Sequence, residues 1–280
     1  MIFNRSFLRN LFGRRKPVIH LYSICWNEEY MLPYFFRHYD GIVDRYVFFD
    51  DGSTDRTLEI LEKHAKVELR SLPRPDVDSY VLAAKEIQDQ CWKESRGKAD
   101  WVIITAVDEH LYHKDLPGYI TQCRKEGVTL IPGTGYQMLS PVLPRANRKL
   151  TKIVTRGTPY HWMNKLSLFD PDKIAETDFS LGRHAAQPVG EVVYPPRDEL
   201  LILHYKYLSM DWTYNRHVEL EEKLGRKDKE NKWGTHYSWT KEELKKEWDL
   251  LEADAVDNVM RPGIHEKIIA AKAEKPWWRQ

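Results

Sequence analysis

Acidic residues follow two short apolar runs in the first 110 positions of the sequence. Asp50 and Asp51 end the run RYVFF, and Asp108 comes shortly after the run WVIIT. Open α/β sheets bind ligands at the carboxyl ends of their strands, so acids at two such ends are predicted to meet at one edge. By itself a D-D-G-S sequence is more typical of a turn. The second acidic strand end favours a site for a metal-bound nucleoside diphosphate, because hard cations prefer oxygen ligands.

A histidine follows a third apolar run. His204 comes directly after LLIL at residues 200–203, and this pattern predicts that it lies at the end of a strand. One carboxylate and one histidine would suffice for a Mn²⁺ or Mg²⁺ ion that keeps places for phosphate oxygens and water. The alternative is a histidine that only forms hydrogen bonds at a strand end. His110 and His113 are a poorer candidate for a zinc pair, since no third and fourth ligand lie near them in the sequence.

Strand and helix patterns alternate in the first part of the chain. The predicted strands are residues 18–25, 43–49, 67–70 and 101–105, and the predicted helices are residues 28–39, 55–66 and 79–94. This alternation predicts an α/β fold with a mostly parallel central sheet and right-handed crossovers. The turn after the first strand reads C-W-N-E-E and has no glycine fingerprint, which argues against a dinucleotide-dependent dehydrogenase.

After Asp108 the pattern changes to short strands without long helices between them. Strands are predicted at residues 129–131, 152–154, 166–169, 192–193 and 200–204, a long loop at 141–159, and charged helices at 211–225 and 240–254. This half is predicted to extend and cover the sheet. No linker divides the chain, so residues 18–280 are predicted to form one domain. Its parts are a nucleotide-binding half (18–110), an acceptor or catalytic half (111–210) and a helical appendage (211–280).

The composition narrows the class of protein. The net charge of +1 over 280 residues gives no reason to expect nucleic acid as a partner. Three widely spaced cysteines argue for a reducing compartment, and we expect a cytoplasmic location. No apolar run approaches the roughly 20 residues of a membrane span. Residues 1–17 combine apolar side chains at helical spacing with arginines and lysine. Such a segment either lies on an anionic membrane surface or packs on its own domain.

Three segments of the chain together resemble glycosyltransferase family 2 enzymes with the GT-A fold. They read S-I-C-W-N-E-E at residues 23–29, F-D-D-G-S-T-D at 49–55 and W-V-I-I-T-A-V-D-E-H-L-Y at 101–112. A looser similarity to small members of that group lies in G-R-H at 182–184 and L-H-Y-K at 203–206. The resemblance implies a metal-dependent, inverting hexosyl- or pentosyltransferase. Such an enzyme moves a sugar from a UDP- or dTDP-sugar donor to a glycan or polysaccharide acceptor.

The resemblance also implies roles for individual residues. Asp51 matches the acid that binds a uracil or thymine edge, and Asp108 matches the last aspartate of the D-x-D motif, which holds Mn²⁺ or Mg²⁺ on the diphosphate. Val107 fills the middle position of that motif and is expected to contact the nucleotide sugar. Ala106 replaces the first aspartate of the motif, and Glu109 is the nearest acid that could compensate. The nucleobase and ribose are expected at the turn formed by Cys25, Trp26, Asn27 and Glu28.

An inverting transfer needs a general base, and the resemblance implies that this base lies between the D-x-D motif and the late histidine. The sequence leaves two candidates open, Asp178 and His184. Contacts with the diphosphate or the acceptor are expected from Lys206, Arg156 and Trp162. Because Ala106 breaks the motif, the alternative function is that of a catalytically inactive protein that binds a nucleotide sugar or a glycan.

Overall fold

The computed structural model describes residues 16–271 and 275–280. The predicted amphipathic segment therefore lies almost wholly outside the described residues. In the described part of the chain, no helix is long and apolar enough to cross a membrane.

A nine-stranded sheet forms the centre of the molecule. Its strands, with those of a separate two-stranded sheet (β9 and β10), are β1 (Ile19–Cys25), β2 (Arg45–Asp50), β3 (Val67–Ser71), β4 (Trp101–Ile104), β5 (Glu109–Tyr112), β6 (Leu130–Ser140), β7 (Gly157–Pro159), β8 (Lys165–Phe169), β9 (Ile174–Glu176), β10 (Val189–Gly190) and β11 (Leu201–Leu208). The order in the large sheet is β3-β2-β1-β4-β8-β6-β11-β5, with β7 paired to β6.

Most strands of this sheet run in the same direction. The pairs β1–β2, β2–β3, β1–β4 and β6–β11 are parallel, whereas β8, β7 and β5 are antiparallel to their neighbours. Strands from the first and second halves of the chain thus share one sheet, joined at β4–β8–β6. The predicted α/β class, with a mostly parallel central sheet, flanking helices and a mixed second half, is confirmed.

Helices flank the sheet, and their ends follow local sequence signals. They are α1 (Leu32–Tyr39), α2 (Thr57–Glu62), α3 (Tyr80–Gln90), α4 (Leu116–Lys125), α5 (Met210–Lys223), α6 (Arg226–Glu230), α7 (Lys241–Ala253) and α8 (Ile264–Ala271). The Ser79 hydroxyl caps α3 by accepting from the Leu82 N–H at 3.0 Å. Thr240 and Glu243 form a capping box at the start of α7. Helices α1 and α2 are shorter than predicted, because the residues before each of them form turns.

Strand β6 is much longer than the predicted strand at residues 129–131. The sequence after Ile131 reads P-G-T-G, which usually ends a strand. Here Pro132 lies at a register shift, where a missing N–H is tolerated. A Cβ on Gly133 would lie 2.5 Å from the Ile202 side chain, and one on Gly135 would lie 2.3 Å from Met163. The two glycines therefore allow close packing inside a continuous strand.

Two predicted strands are wrong. Residues 152–154 follow a 3₁₀ turn, Leu150–Lys152, and residues 192–193 are exposed and belong to no strand. Both were short β-branched runs, and such runs pair only where an adjacent strand is available. Strand β5 was not predicted, because its sequence EHLY directly continues the acidic strand end.

The core lies on both faces of the sheet. One cluster joins α1 to β1, β2 and β11, and a second joins β4, β8 and the fully buried Trp92.

The last residues of the chain pack against the rest of the fold. Trp278 is 6% exposed, and its Nε1 donates to Asp198 Oδ1 at 2.8 Å. The Arg279 guanidinium donates to the same carboxylate at 2.8 Å. Trp278 therefore belongs to a docked tail.

Candidate functional site

Asp108 and His204 meet at the carboxyl edge of the sheet. His204 Nε2 lies 3.1 Å from Asp108 Oδ2, and both side chains are partly exposed. The contact forms because β5, which begins one residue after Asp108, pairs with β11. The backbone strengthens this junction, since the Tyr205 N–H donates to the Asp108 carbonyl at 2.8 Å.

Gln137 orients the His204 ring. Its side-chain Oε1 lies 2.8 Å from His204 Nδ1, and its Nε2 donates to the His204 carbonyl at 3.0 Å. An amide oxygen can only accept, so Nδ1 carries the proton in this pair. In the neutral ring the lone pair is then on Nε2, which is the nitrogen that faces Asp108. A hydrogen bond of this kind, to the ring nitrogen that does not face the metal, fixes the tautomer of a metal-binding histidine.

The sequence predicted that His204 lies at the end of its strand. This is wrong, because β11 continues to Leu208. Side chains alternate along a strand, so His204 and Lys206 share one face while Leu203 and Tyr205 are buried on the other. A register shift between β11 and β6 follows His204. The histidine reaches the site through this alternation and not through a strand end.

Glu109 does not replace the aspartate that Ala106 lacks. Its carboxylate is 2% exposed and accepts from Lys165 Nζ at 2.8 Å and from the Arg183 guanidinium at 2.6 Å. Burial opposes its ionisation, but Lys165 and Arg183 hold the pKa of Glu109 well below its usual value. Glu109 is therefore committed to a buried ion-pair cluster, which leaves Asp108 as the acid of the motif that faces the site.

The charges around Asp108 favour its ionised form. Burial raises the pKa of Asp108, but His204 and Lys206 outweigh it and hold that pKa below its usual value. Burial lowers the pKa of Lys206 to about 7, against the attraction of Asp108. Lys206 Nζ lies 2.9 Å from His236 Nε2 and 4.4 Å from the centre of the Tyr237 ring. The 3₁₀ turn Thr235–Ser238, far along the chain, thus borders the site.

Helix α5 covers the turn after β1. The Arg216 guanidinium donates to Glu28 Oε1 at 2.7 Å and to the Trp26 carbonyl at 2.6 Å. Cations from α5 also lie over the Trp26 ring, with Arg216 Cζ 5.3 Å and Lys223 Nζ 4.8 Å from its centre. Burial raises the pKa of Glu28 to about 7, against the attraction of Arg216. Basic groups of the appendage therefore lie where the nucleobase and ribose are expected.

The two aspartates at the end of β2 have different surroundings. Asp50 accepts from the N–H groups of Gly52 and Ser53 at 2.9 and 3.0 Å, so it shapes the turn. Asp51 accepts from Arg74 Nε at 2.7 Å in a two-pronged pair, and Lys223 Nζ lies 3.5 Å from its Oδ2. Asp51 thus presents an already paired carboxylate at the site edge.

The rest of the turn after β1 is largely structural. Asn27 has a φ of 50°, and its side-chain oxygen accepts from the Thr54 N–H at 2.8 Å, which ties this turn to the turn after β2. Cys25 is 2% exposed and its Sγ lies 3.8 Å from Asp50 Oδ1. Burial raises the pKa of the Cys25 thiol well above its usual value. Of the four predicted residues, Trp26 and Glu28 are the ones whose side chains meet the basic groups.

The two candidate bases lie on one loop. Asp178 is exposed, with a φ of 44°, and the neighbouring Phe179 N–H is anchored to Asp89 on α3 at 2.9 Å. His184 Nδ1 donates to the Trp162 carbonyl at 2.5 Å, and the exposed Trp162 ring lies 5.4 Å from the His184 ring. Burial lowers the pKa of His184 to about 4. The structure brings His184 and Trp162 together, and neither side chain has a polar contact with Asp108.

Two other predicted residues lie elsewhere. Arg156 NH1 is 3.3 Å from Asp257 Oδ1, and its NH2 donates to the Glu252 carbonyl at 3.2 Å, so this guanidinium is engaged with the end of α7. Val107 is 2% exposed and packs in the core. In the motif, Val107 therefore only separates Ala106 from Asp108.

A donor set for a divalent cation is present but small. Among the described residues, no three His, Cys, Asp or Glu side chains come together as a metal site. Asp108 Oδ2 and His204 Nε2 are 3.1 Å apart, and adjacent ligands about 2.1 Å from one octahedral cation lie about 3 Å apart. This pair fits a cation that takes its remaining ligands from phosphate oxygens and water.

A cleft opens beside this edge. Its volume is about 190 Å³, and it is lined by residues of the turns after β1 and β2 and of α5, including Glu28, Tyr30, Asp55, Trp212 and Arg216. Pockets that hold a whole cofactor-sized ligand have roughly 300–1,000 Å³, so this cleft has room for part of such a ligand. Sequence reasoning missed Gln137, Arg216 and Lys223. The only signal for the two cations was the strong charge of residues 211–225.

Comparison with known proteins finds similarity at the level of solved structures. No protein-family model and no curated protein sequence matches the chain. Residues 1–349 of S. aureus TarS match 74% of this chain and 65% of that one, at 10% identity and a TM-score of 0.36. Glucosyl-3-phosphoglycerate synthase from Mycobacterium tuberculosis, in complex with Mn²⁺, UDP and glucosyl-3-phosphoglycerate, matches 45% of this chain and 46% of that one. There the identity is 18% and the TM-score 0.30.

The chain thus spans less than two thirds of the length of each of these structures. With TM-scores below 0.5, these similarities decide neither the fold nor the function of the chain. The fold is defined by the strand order of the chain's own sheet.

Proposed function

We propose that this protein is a metal-dependent glycosyltransferase that takes a UDP- or dTDP-sugar and extends a glycan or polysaccharide. The observation that carries the proposal is the 3.1 Å contact between Asp108 and His204 at the carboxyl edge of the sheet. Next to it lie a cleft of about 190 Å³ and the cations Lys206 and Arg216. An acid, an oriented histidine and nearby positive charge match the needs of a diphosphate leaving group.

Each residue of the site has its own role in donor binding. Asp108 and His204 would hold the cation, and Gln137 would keep the His204 lone pair directed at it. A Mn²⁺ or Mg²⁺ ion at this place would supply Lewis-acid chemistry to the diphosphate. Lys206 and Arg216 add positive charge where the leaving group becomes more negative, an effect that a partly buried site strengthens. Trp26 offers a ring face to the nucleobase, and Asp51 accepts from its imide N–H.

The acceptor hydroxyl loses its proton to Asp178 or His184, with inversion at the anomeric carbon. His184 donates from Nδ1 to the Trp162 carbonyl, and burial lowers its pKa to about 4, which keeps the imidazole neutral but makes it a weaker base than an ordinary histidine. Its Nε2 then carries the lone pair that accepts a proton. Asp178→Asn and His184→Ala are each to be assayed. Loss of the base is expected to lower transfer about 10²–10⁴-fold with donor binding retained. Near-normal rates in both would exclude these bases.

A panel of nucleotides tests donor binding. UDP, dTDP, CDP and GDP are compared by thermal unfolding, each with and without Mn²⁺, because a ligand that binds only the folded state raises the melting temperature. The proposal predicts a Mn²⁺-dependent rise with UDP or dTDP and a much smaller one with CDP or GDP. Equal shifts with all four, or none with any, would contradict it.

A second candidate is a protein that binds a nucleotide sugar without turning it over. It is favoured by the replacement of the first motif aspartate by Ala106 and by the buried pairing of Glu109. The two candidates differ in one assay. An enzyme releases UDP slowly from its donor without an acceptor, whereas a binding protein gives the thermal shift and no UDP.

A further inference from the structure

Five basic residues form an exposed or half-exposed surface that we name the basic flank: Arg37, Arg145, Arg148, Lys149 and Lys152. None of them has an acidic partner within 4.0 Å among the described residues. Elsewhere many exposed cations are paired, as in Lys241–Asp211 at 2.6 Å and Arg226–Asp78 at 2.6 Å. The segment 141–156 contains five cations and no acid, and of these five only Arg156 has an acidic partner, with Asp257 at 3.3 Å. The charge of the other four is therefore uncompensated locally.

The flank is held firmly against helix α1. The hydroxyls of Tyr30 and Tyr34 donate to the Pro144 carbonyl at 2.6 and 2.9 Å. The Arg37 guanidinium donates to Asn147, and Lys149 Nζ lies 3.5 Å from the His38 carbonyl. The segment thus lies along α1 from before its first residue to near its last.

This course carries the flank away from the candidate active site. Helix α1 starts at the carboxyl edge of the sheet and ends at the opposite edge, where the Asp44 N–H donates to the carbonyl of Ile19, the first residue of β1, at 2.8 Å. At that end Lys16 Nζ donates to the Gly41 carbonyl at 3.2 Å. A clamp for a diphosphate would converge on Asp108, whereas these cations spread along a side of the molecule and reach the start of the described chain.

We propose that the basic flank docks the protein on an anionic lipid bilayer. A row of uncompensated cations suits a surface of anionic headgroups. Each Lys or Arg near such a surface contributes about 1 kcal/mol to the free energy of binding. Two features favour a bilayer over a soluble polyanion. Val142, next to the cations, is 68% exposed and offers an apolar contact. Lys16 lies at the end of the flank, and the sequence of the preceding residues, 1–15, mixes cations with Phe and Leu. Stable anchoring takes two such signals.

The test uses the full chain and vesicles of phosphatidylcholine with 30% phosphatidylserine, a composition chosen for the assay. Arg145→Glu with Arg148→Glu changes the charge of the flank by four units. The matched control is Lys229→Glu with Lys246→Glu. These two exposed lysines lie outside the flank, have no acidic partner within 4.0 Å among the described residues, and give the same change in net charge. Neither variant touches the candidate active site.

The expected result is at least a tenfold loss of vesicle binding in the flank variant, from about 1 kcal/mol for each removed cation, and less than a threefold loss in the control. Pure phosphatidylcholine vesicles should bind every form weakly. Equal losses in the two variants would overturn the proposal, since net charge alone would explain them. It would also be overturned if soluble polyphosphate bound the wild type as tightly as the vesicles did, because the flank would then be a polyanion site.

Discussion

Gln137 is the residue on which the chemistry of His204 depends. Its side chain is 1% exposed and makes two hydrogen bonds with His204, one to the ring and one to the backbone. Without it, Nδ1–H loses its acceptor, and the ring is free to present the protonated nitrogen to Asp108. Residues with this role typically change metal affinity 10- to 100-fold.

We therefore expect Gln137→Leu to raise the Mn²⁺ concentration for half-maximal UDP binding by about 10- to 100-fold. Calorimetric titration of UDP at a series of Mn²⁺ concentrations measures this. Gln137→Glu keeps an acceptor for Nδ1–H and should have a smaller effect. An unchanged Mn²⁺ requirement in Gln137→Leu would show that the His204 ring needs no such support.

Substitution of Asp51 tests the proposed contact with the nucleobase. A carboxylate accepts from the imide N–H of uracil, and cytosine has no such group. We expect Asp51→Ala to weaken UDP binding about 10- to 100-fold, from the roughly 1.5–3 kcal/mol of a hydrogen bond to a charged group. CDP binding should hardly change. Arg74→Ala removes the existing partner of Asp51 and keeps the carboxylate, so it separates the base contact from the ion pair. A UDP affinity that survives Asp51→Ala would exclude this contact.

At the residue scale the sequence identified the acids and the histidine that follow apolar runs. The pattern of Asp108 and His204 is local, and a strand delivers each side chain to the same edge. Gln137 lies inside a run with proline and glycines, and Arg216 lies on a charged helix about 190 positions from Glu28. No short-range pattern links such distant residues, so they were found only in the folded chain.

Among the helices, α5 connects the appendage to the site. Its outer cations reach Glu28 and Asp51, and its inner face buries His217 at 0% exposure against the Tyr207 and Tyr237 rings. Burial, and then the charge of Lys206, lowers the pKa of His217 to about 2. The folded protein therefore keeps this ring neutral, whereas in the unfolded chain it binds a proton near pH 6.5.

The consequence is a loss of stability in acid. Because the folded pKa lies below the unfolded pKa, stability falls as the pH drops below about 6.5 and continues to fall toward pH 2. We expect His217→Phe to weaken the pH dependence of the free energy of unfolding by at most about 2 kcal/mol between pH 7.5 and pH 5. Urea unfolding at both values measures it. The exposed His161→Phe serves as the control. Parallel curves for wild type and His217→Phe would contradict the prediction.

Strands and helices whose hydrophobic residues recur at a regular spacing were predictable from the sequence. The first four strands and the helices α5 and α7 appear where hydrophobic spacing and caps place them. Strand β6 was not, because its Pro132, Gly133 and Gly135 are tolerated only through contacts with β11 and with the turn at Met163. The short strands at 152–154 and 192–193 were predicted from β-branched residues alone. The Val193 carbonyl accepts from the Leu130 N–H of β6 at 3.2 Å, but neither segment forms a strand. Tertiary pairing decided both kinds of error.

For the whole molecule, the docked tail closes the fold. Trp278 is buried at 6% exposure, and Asp198 accepts from both Trp278 and Arg279. We expect Trp278→Ala to lower the free energy of unfolding by about 3–5 kcal/mol, as truncating a buried tryptophan usually does. Chemical denaturation measures it, and the exposed Trp162→Ala is the matched control. A loss below about 1 kcal/mol would mean that the tail is not part of the core.

The central claim is that Asp108 at the sheet edge supports cation-dependent chemistry on a nucleotide sugar. The most direct measurement is the release of UDP from a UDP-sugar panel with Mn²⁺ present, comparing the wild type with Asp108→Asn. Asparagine keeps the shape of the side chain and removes its charge. The account predicts Mn²⁺-dependent release by the wild type, at least a hundredfold less release by Asp108→Asn, and the same far-ultraviolet circular dichroism for both. Equal UDP release by the two proteins would contradict it.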